Sequence, residues 1–431
     1  MPKNPHNSSL PLYARVLIGA GVGLGALLGV GWYYADGLVH VRPVRRPVYK
    51  ARVLAIEEGH GHTHLTLTRT PSTLRPGVIT LDWEVGGRRM HAQLGPPLSE
   101  SKQSGISGKG VVREVRWQQA PLQVGQPVRA STIGHGQPRD HGLPQQDVTV
   151  PSEHGPMPAW LVPATGTGDD GTGLAGAAGS DWVIVTHGYG GLRQDALRIL
   201  PTFHRLGLSS LTITFRNAEG APRTPQKVLR LSAEEWQDLE NAVEYAYQNG
   251  ARRVLLFGFS MGGSISLAFL RYSKLASRVV AVMLDSPAME WRSLITHHAY
   301  RYRLPIPLVL SRIVAWLTVF KSKQDFDAVD HLSVMDSFDK AMLVFHGSVD
   351  NTVPIAQVEK FVHARPDIVE YHRVEGGQHT RPWNIDPERY ETAVETFVKR
   401  VLAEPSAPAQ ATREQAVNTT GSPRDTHHVD S

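Results

Sequence analysis

The chain has 431 residues, 41% of them hydrophobic and 20% charged, which describes a globular protein with a substantial core and room for two or three domains. Net charge is +5, and the basic residues are scattered without interleaved aromatics, so a nucleic-acid partner finds no support. Cysteine is absent, which excludes disulfides, thiolate metal sites and a cysteine nucleophile.

After a short polar tail (residues 1–15), Val16–Ala35 carries no charge and is long enough to cross a hydrocarbon core of about 30 Å as a helix. Its many glycines are at home in membrane helices, Gly21 and Gly25 form a G-x-x-x-G, and Trp32, Tyr33 and Tyr34 sit where an aromatic belt belongs. The rival reading is a cleaved signal peptide. The apolar run is longer than such peptides carry, and no small-x-small site follows, so a single-pass anchor in the cell membrane is expected. Lys3 and Arg15 flank one end and Arg42, Arg45, Arg46, Lys50 and Arg52 the other. The positive-inside rule then argues that the chain beyond the anchor is cytoplasmic, and the side stays open.

Residues 48–129 are rich in Gly, Pro and Thr and show short alternating apolar runs at His64–Thr68, Val78–Val85 and Val111–Trp117, the pattern of a small β-rich domain. His60, His62 and His64 on one strand would share a face, with neighbours about 6.6 Å and the outer pair about 13 Å apart. They cannot converge on one zinc with bonds near 2.1 Å, so solvated strand histidines are expected.

A second domain is expected over residues 145–403. It opens on a hairpin of Val148–Val150 and Ala159–Val162, followed by a Gly/Ala/Thr/Asp loop at Thr165–Gly179. Beyond it, strands at Trp182–Thr186, Ser210–Phe215, Val254–Phe257, Val279–Leu284, Ala341–Phe345 and Val369–Val374 alternate with helices near Asp195–Leu206, Ser232–Gln248, Ser264–Lys274, Ile355–His363 and Pro387–Leu402. That alternation predicts a mostly parallel sheet covered on both faces. Ser232 and Glu235 have capping-box spacing at the start of the second helix.

Chemistry concentrates at four strand ends. Val254–Phe257 runs into Gly258-Phe259-Ser260-Met261-Gly262, a G-x-S-x-G between a strand and a helix, which lifts a serine hydroxyl clear of the sheet. Trp182–Thr186 ends in His187-Gly188-Tyr189-Gly190-Gly191, suited to supply one oxyanion-hole amide from Tyr189, with Met261 supplying the other. Ala341–Phe345 leads to Asp350, and His379 lies in a Gly-rich loop before the last helix. A weak serine nucleophile needs a base, and the base an orienting acid; Ser260, Asp350 and His379 occur in the order this motif demands. Arg216 and Asn217 follow another strand on the same rim, where contact with substrate competes with pairing of Arg216 to Glu235 or Asp238.

With those motifs in place, residues from about Asp147 to Ala403 resemble the α/β-hydrolases, and more narrowly actinobacterial membrane-anchored members near the Bem46-like and serine-aminopeptidase-like branches. The resemblance is carried by HGYGG at His187, FRNAEGAP at Phe215, EEWQDLENAVEYA at Glu234, GFSMGG at Gly258 and HGSVDNTVP at His346. It implies an α/β-hydrolase fold with Ser260 as nucleophile, Asp350 as acid and His379 as base. The Gly-Gln-His-Thr sequence departs from relatives that place a bulky residue after the histidine.

Residues 288–340 interrupt the strand alternation and hold Pro305–Phe320, apolar nearly all round except Arg312. As a second membrane span this stretch would bury Arg312 near the bilayer centre at about 2.5–3.5 kcal/mol. An insertion between sheet strands cannot thread a bilayer, so a lid helix is expected, with Trp316 facing an acyl pocket and membrane-surface contact possible. Residues 404–431, rich in Pro, Ala, Thr, Ser and Gln, have the composition of a disordered tail. The expectation is a membrane-anchored serine hydrolase needing no cofactor or metal. Ester or thioester hydrolysis ranks first and peptide or amide hydrolysis second, with a non-catalytic binding module on a hydrolase scaffold as the alternative from another class.

Overall fold

A computed structural model describes residues 12–41, 48–100, 110–165 and 179–403. The expected N-terminal tail, most of the Gly/Ala/Thr/Asp loop and the C-terminal tail lie outside the described residues.

The first described element is helix α1, Leu12–Val39. Around residues 21–30 its side chains are almost all exposed, whereas Gly31, Ala35 and Val39, one per turn, are buried. That stripe packs on the rest of the protein. A Cβ at Gly31 would come within 2.6 Å of Ile313 Cγ2, so the small residue permits a close helix crossing.

Strands β1 (Ala51–Gly59), β2 (His62–Thr68), β3 (Ile79–Val85), β4 (Arg88–Glu100), β5 (Gly110–Gln118) and β6 (Pro127–Ser131) close into an antiparallel barrel in the order β1-β2-β5-β4-β3-β6. Alternation puts Val53, Leu65, Leu67, Leu81, Trp83 and Leu94 inside. His60 departs from the strand expected for it. With Gly61 it forms the β1–β2 turn at φ 52° and 81°, the two left-handed residues that a tight hairpin requires. His62 pairs instead with Glu114 across the sheet.

The second sheet has eight strands. An antiparallel hairpin, β7 (Gln146–Val150) and β8 (Met157–Val162), precedes β9 (Asp181–Thr186), β10 (Leu208–Ile213), β11 (Arg253–Phe259), β12 (Val279–Asp285), β13 (Ala341–Gly347) and β14 (Val369–Val374), in the order β14-β13-β12-β11-β9-β10-β8-β7. Every pair from β10 to β14 is parallel. Period-two alternation sends Trp182, Ile184 and Leu256 into one core and Val183, Val185 and Phe257 into the other. Helices α2 (Leu200–Arg205) and α9 (Pro387–Ala403) cover the second face, and α3 (Trp236–Gln248), α4 (Met261–Tyr272) and α7 (Ile355–Ala364) the first. Helices α5 (Trp291–Arg301) and α6 (Pro307–Ser322) occupy the insertion, and the one-turn α8 (Pro382–Ile385) follows β14. The barrel is fastened to α8: Asn384 Nδ2 donates to the carbonyls of Val78 and Thr132, each at 3.0 Å.

Two helices differ from expectation. The one expected over Asp195–Leu206 divides into a 3₁₀ turn, Arg193–Arg198, and α2, because Pro201 has no amide proton with which to continue it. The one expected from Ser232 starts at Trp236. Leu231 and Ser232 are left-handed, at φ 49° and 83°, and the Glu235 carboxylate accepts the amides of Arg230 and Ser232 at 2.7 and 2.8 Å. Only half of the capping box forms, since the Ser232 hydroxyl turns to Ser264 Oγ at 2.8 Å.

Candidate active site

The β11–α4 turn places Ser260 at the carboxyl end of a central strand, at φ 51° and ψ −113°. A serine in that region is strained by about 1–3 kcal/mol and persists only because its surroundings fix it. The glycines on either side are required by contact. A Cβ on Gly258 would lie 2.5 Å from the Gly262 carbonyl, and one on Gly262 2.2 Å from the Thr186 carbonyl. The Ser260 amide donates to the Asp285 carbonyl at 2.9 Å, which completes the clamp.

His379, in the turn after β14, approaches from the other side. Its Nε2 lies 2.8 Å from Ser260 Oγ and its Nδ1 2.7 Å from Asp350 Oδ2. Asp350 is held by its own loop, where Oδ1 accepts the amides of Thr352 and Val353 at 2.7 and 3.0 Å. Burial pushes this carboxyl up. The hydrogen bond and charge of His379, the nearby His346 ring and the Thr352 amide outweigh burial and hold it below the ordinary carboxylate range. The other strand-end acid, Asp285, is fully buried and engaged elsewhere, accepting Ser286 and Tyr390 hydroxyls at 2.9 and 3.0 Å. Burial raises its carboxyl to about 6, against the opposing pull of Arg198 and those two hydroxyls.

The His187–Gly191 loop abuts the serine, since a Cβ on Gly188 would lie 3.1 Å from Ser260 Cβ. Tyr189 lines the same cavity as Ser260, and Met261 opens α4 immediately after Ser260. Arg216 is 2% exposed and forks onto Asp238, with Nε and Nη2 each 3.0 Å from a carboxylate oxygen. Asn217 braces its own loop through Thr224 and the Val228 carbonyl.

Above Ser260 lies a cavity of about 480 Å³ walled by α5 (Trp291, Leu294, Ile295), α6 (Ser311, Val314) and the end of α1 (Tyr33, Tyr34, Gly37, Leu38). The α1 wall is absent from the reading of the sequence alone. Its signal was present as the one-per-turn Gly31, Ala35 and Val39 stripe, but small residues at that spacing equally suit a helix in lipid. Trp316 requires a correction: it is 61% exposed on the outer face of α6 and does not line the cavity, because the inner stripe of the helix falls on Leu310, Val314 and Leu317.

The profile of the Prolyl oligopeptidase family matches residues 229–402, and that of a domain of unknown function, DUF8805, matches residues 52–131, the span of the barrel. A search of curated proteins returns no match. Among solved structures, an esterase from Pyrococcus furiosus is similar, with 21% identity, 62% of this chain and 95% of that chain covered, and a TM-score of 0.48. Est1E from Butyrivibrio proteoclasticus, with ferulic acid bound, gives 15% identity, coverage of 60% and 100%, and a TM-score of 0.46.

Proposed function

We propose that this chain is an α/β-hydrolase that cleaves carboxylic esters or thioesters through Ser260, His379 and Asp350. The observation that carries the reading is the unbroken run from Asp350 Oδ2 through His379 to Ser260 Oγ, at 2.7 and 2.8 Å, beneath an apolar cavity. In this reading Ser260 Oγ attacks the acyl carbon as His379 Nε2 takes its proton, and the carbonyl π electrons move onto oxygen. The amides of Tyr189 and Met261 receive that oxyanion. Collapse expels the alcohol or thiol, which takes the proton from His379. Water, deprotonated by the same nitrogen, then attacks the acyl-enzyme, releases the acid and restores the serine. Asp350 keeps the Nδ1–H tautomer and stabilises the imidazolium.

The cavity favours an acyl ester over an aminoacyl substrate. Among the described residues that line it, none is acidic, so an α-ammonium group would find no counter-charge, and His298 is kept neutral by burial, its pKa falling to about 4. A fluorophosphonate probe is expected to label Ser260. kcat/KM is then expected to rise with acyl length across a series of p-nitrophenyl esters and to exceed that for aminoacyl amides. Faster amide cleavage would replace the esterase by a peptidase, and absence of labelling on the folded protein would leave a binding module.

The same reading makes α1 a retained membrane anchor. A helix long and apolar enough to span a bilayer is present near the N-terminus. Two features favour retention over a signal peptide: Ala35 and Val39 are wholly buried, and the Val39 carbonyl accepts the Leu229 amide at 2.7 Å, so the end of α1 belongs to the folded core. The full chain is expected in the membrane pellet after alkaline carbonate washing. A soluble mature chain beginning near Asp36 would show removal of the segment.

A further inference from the structure

Helix α6 has two faces. The inner one, with Val314 and Leu317, packs toward the cavity and α1, while Leu308, Val309, Trp316 and Phe320 on the outer one are 47–61% exposed. Trp316 and Phe320 stack on each other with ring centres 6.2 Å apart. A row of large apolar side chains turned outward on one helix marks a surface with a partner.

The course of α1 says what that partner is. From Val16, just after Arg15, to Val30 the uncharged part of the helix rises about 22 Å at about 1.5 Å per residue, most of the hydrocarbon thickness of a bilayer. Just beyond it, Gly31 meets α6 side to side. Lys321 of α6 ties the two helices together, with Nζ 2.7 Å from Asp36 Oδ1 and 3.7 Å from the Trp32 ring centre. A helix that leaves the domain for a bilayer therefore holds the apolar outer face of α6 at that bilayer's surface. Exposed Arg312 stands within this row, one turn from both Leu308 and Trp316, where its guanidinium can reach headgroups, and the border is basic and aromatic: Arg301, Arg303 and Lys323 are exposed, as are Tyr300, Tyr302, Trp32 and Tyr33. Interfacial surfaces that meet anionic headgroups have this composition.

The cavity opens at the same border. Of the residues lining it, Tyr33 of α1 and Tyr302 beside α5 are the most exposed, at 58% and 52%, and so mark its mouth, while Ser260 lies at its floor. Tyr189, next to the serine, closes the α1 side by donating its hydroxyl to the carbonyls of Gly37 and His40 at 2.5 and 3.2 Å.

We propose that the substrate is a membrane-resident lipid ester, whose acyl chain slides from the bilayer past Tyr33 and Tyr302 into the cleft between α1 and the α5–α6 lid, bringing its carbonyl to Ser260. This rests on the esterase reading and adds the substrate class and its route. The lid then acts as a bilayer contact, and the anchor is a wall of the site as well as a tether.

The absence of cysteine makes a direct test available, because an introduced thiol is the only one in the chain. Phe320→Cys, labelled with an environment-sensitive fluorophore in full-length protein, is reconstituted into vesicles of phosphatidylcholine and phosphatidylglycerol in equal amounts. Quenching by brominated acyl chains and not by aqueous iodide is expected. Iodide quenching would place α6 in water, and disulfide dimers under mild oxidation would seat a second copy on it; either overturns the proposal. In parallel, turnover of a hexadecanoyl glycerolipid ester in those vesicles is compared with that of soluble p-nitrophenyl acetate. Phe320→Asp together with Trp316→Asp, and separately Gly37→Leu, which narrows the cleft from α1 where an added Cβ meets nothing within 4 Å, are each expected to lower the lipid-to-acetate ratio about tenfold or more. An unchanged ratio with acetate turnover intact overturns the lipid route alone. Loss of all ester turnover and of Ser260 labelling in the parent protein overturns the esterase reading, while the quenching arm still reports where the lid lies.

Discussion

Replacing Ser260 by alanine is expected to abolish ester hydrolysis in a protein that melts within a degree or two of the parent. Loss of the nucleophile alone costs about 2 × 10⁶ in kcat in subtilisin, where the remaining groups still bind substrate and oxyanion. The fold should tolerate the change, because the clamp at this position is made of backbone: the Ser260 amide on the Asp285 carbonyl and the two flanking glycines against their neighbours. Alanine keeps a Cβ and with it the strain of φ 51°. Glycine does not, so Ser260→Gly is expected to be equally inactive and more stable than Ser260→Ala by about 1 kcal/mol. Thermal denaturation of the three proteins and hydrolysis of p-nitrophenyl acetate give the comparison. Full activity in folded Ser260→Ala would end the serine-hydrolase reading, and equal stability of alanine and glycine would show that the turn is unstrained.

What could be read from the amino acids is the part fixed by local rules. A strand, a sharp turn and a helix around Ser260 need glycines at 258 and 262 for contact reasons that any chain of that shape must obey, and the apolar runs around Val183 and Val282 can lie only in a sheet covered on both faces. Where the reading failed, pattern told which residues are buried and not against what. The stripe at Gly31, Ala35 and Val39 has the same spacing whether it meets lipid, another span or α6. Trp316 is apolar on a helix that is apolar nearly all round, so periodicity could not decide between the cavity and the outside. The start of α3 moved because a buried glutamate, Glu235, captures the two amides that a helix begun at Ser232 would have directed elsewhere. Closure of the barrel depends on pairing β1 with β6, a contact between distant segments that no local signal announces.

The acid that serves His379 separates two aspartates that sequence alone leaves nearly equivalent, each at the end of a parallel strand. Asp350→Asn is expected to lower kcat by several orders of magnitude; in a serine protease the matching change costs about 10⁴, because the amide no longer enforces the tautomer that leaves Nε2 free to act as base. Asp350 is built for an ionised role. It accepts two amides on Oδ1 and His379 on Oδ2, and those partners overcome burial to hold its pKa below the ordinary value. As an acid with a depressed folded-state pKa, it contributes stability above its unfolded pKa and loses it as pH falls through the folded one, so the carboxylate stays charged throughout the range in which an imidazole can act as base. Asp285 has the opposite environment. It lies wholly buried among Ser286 and Tyr390 hydroxyls, with a pKa raised to about 6 and its carboxylate oxygens turned to those donors. Its sign is reversed: stability is greatest below the unfolded pKa and declines as pH rises toward 6 and the buried group must ionise. Asp285→Asn is therefore expected to shift melting and its pH dependence between about pH 4 and 6 while costing less than tenfold in kcat. Steady-state kinetics and melting curves of both variants across that range decide the matter. If Asp285→Asn proves the more damaging to turnover, the acid moves to β12 and the Asp350 loop becomes a structural turn.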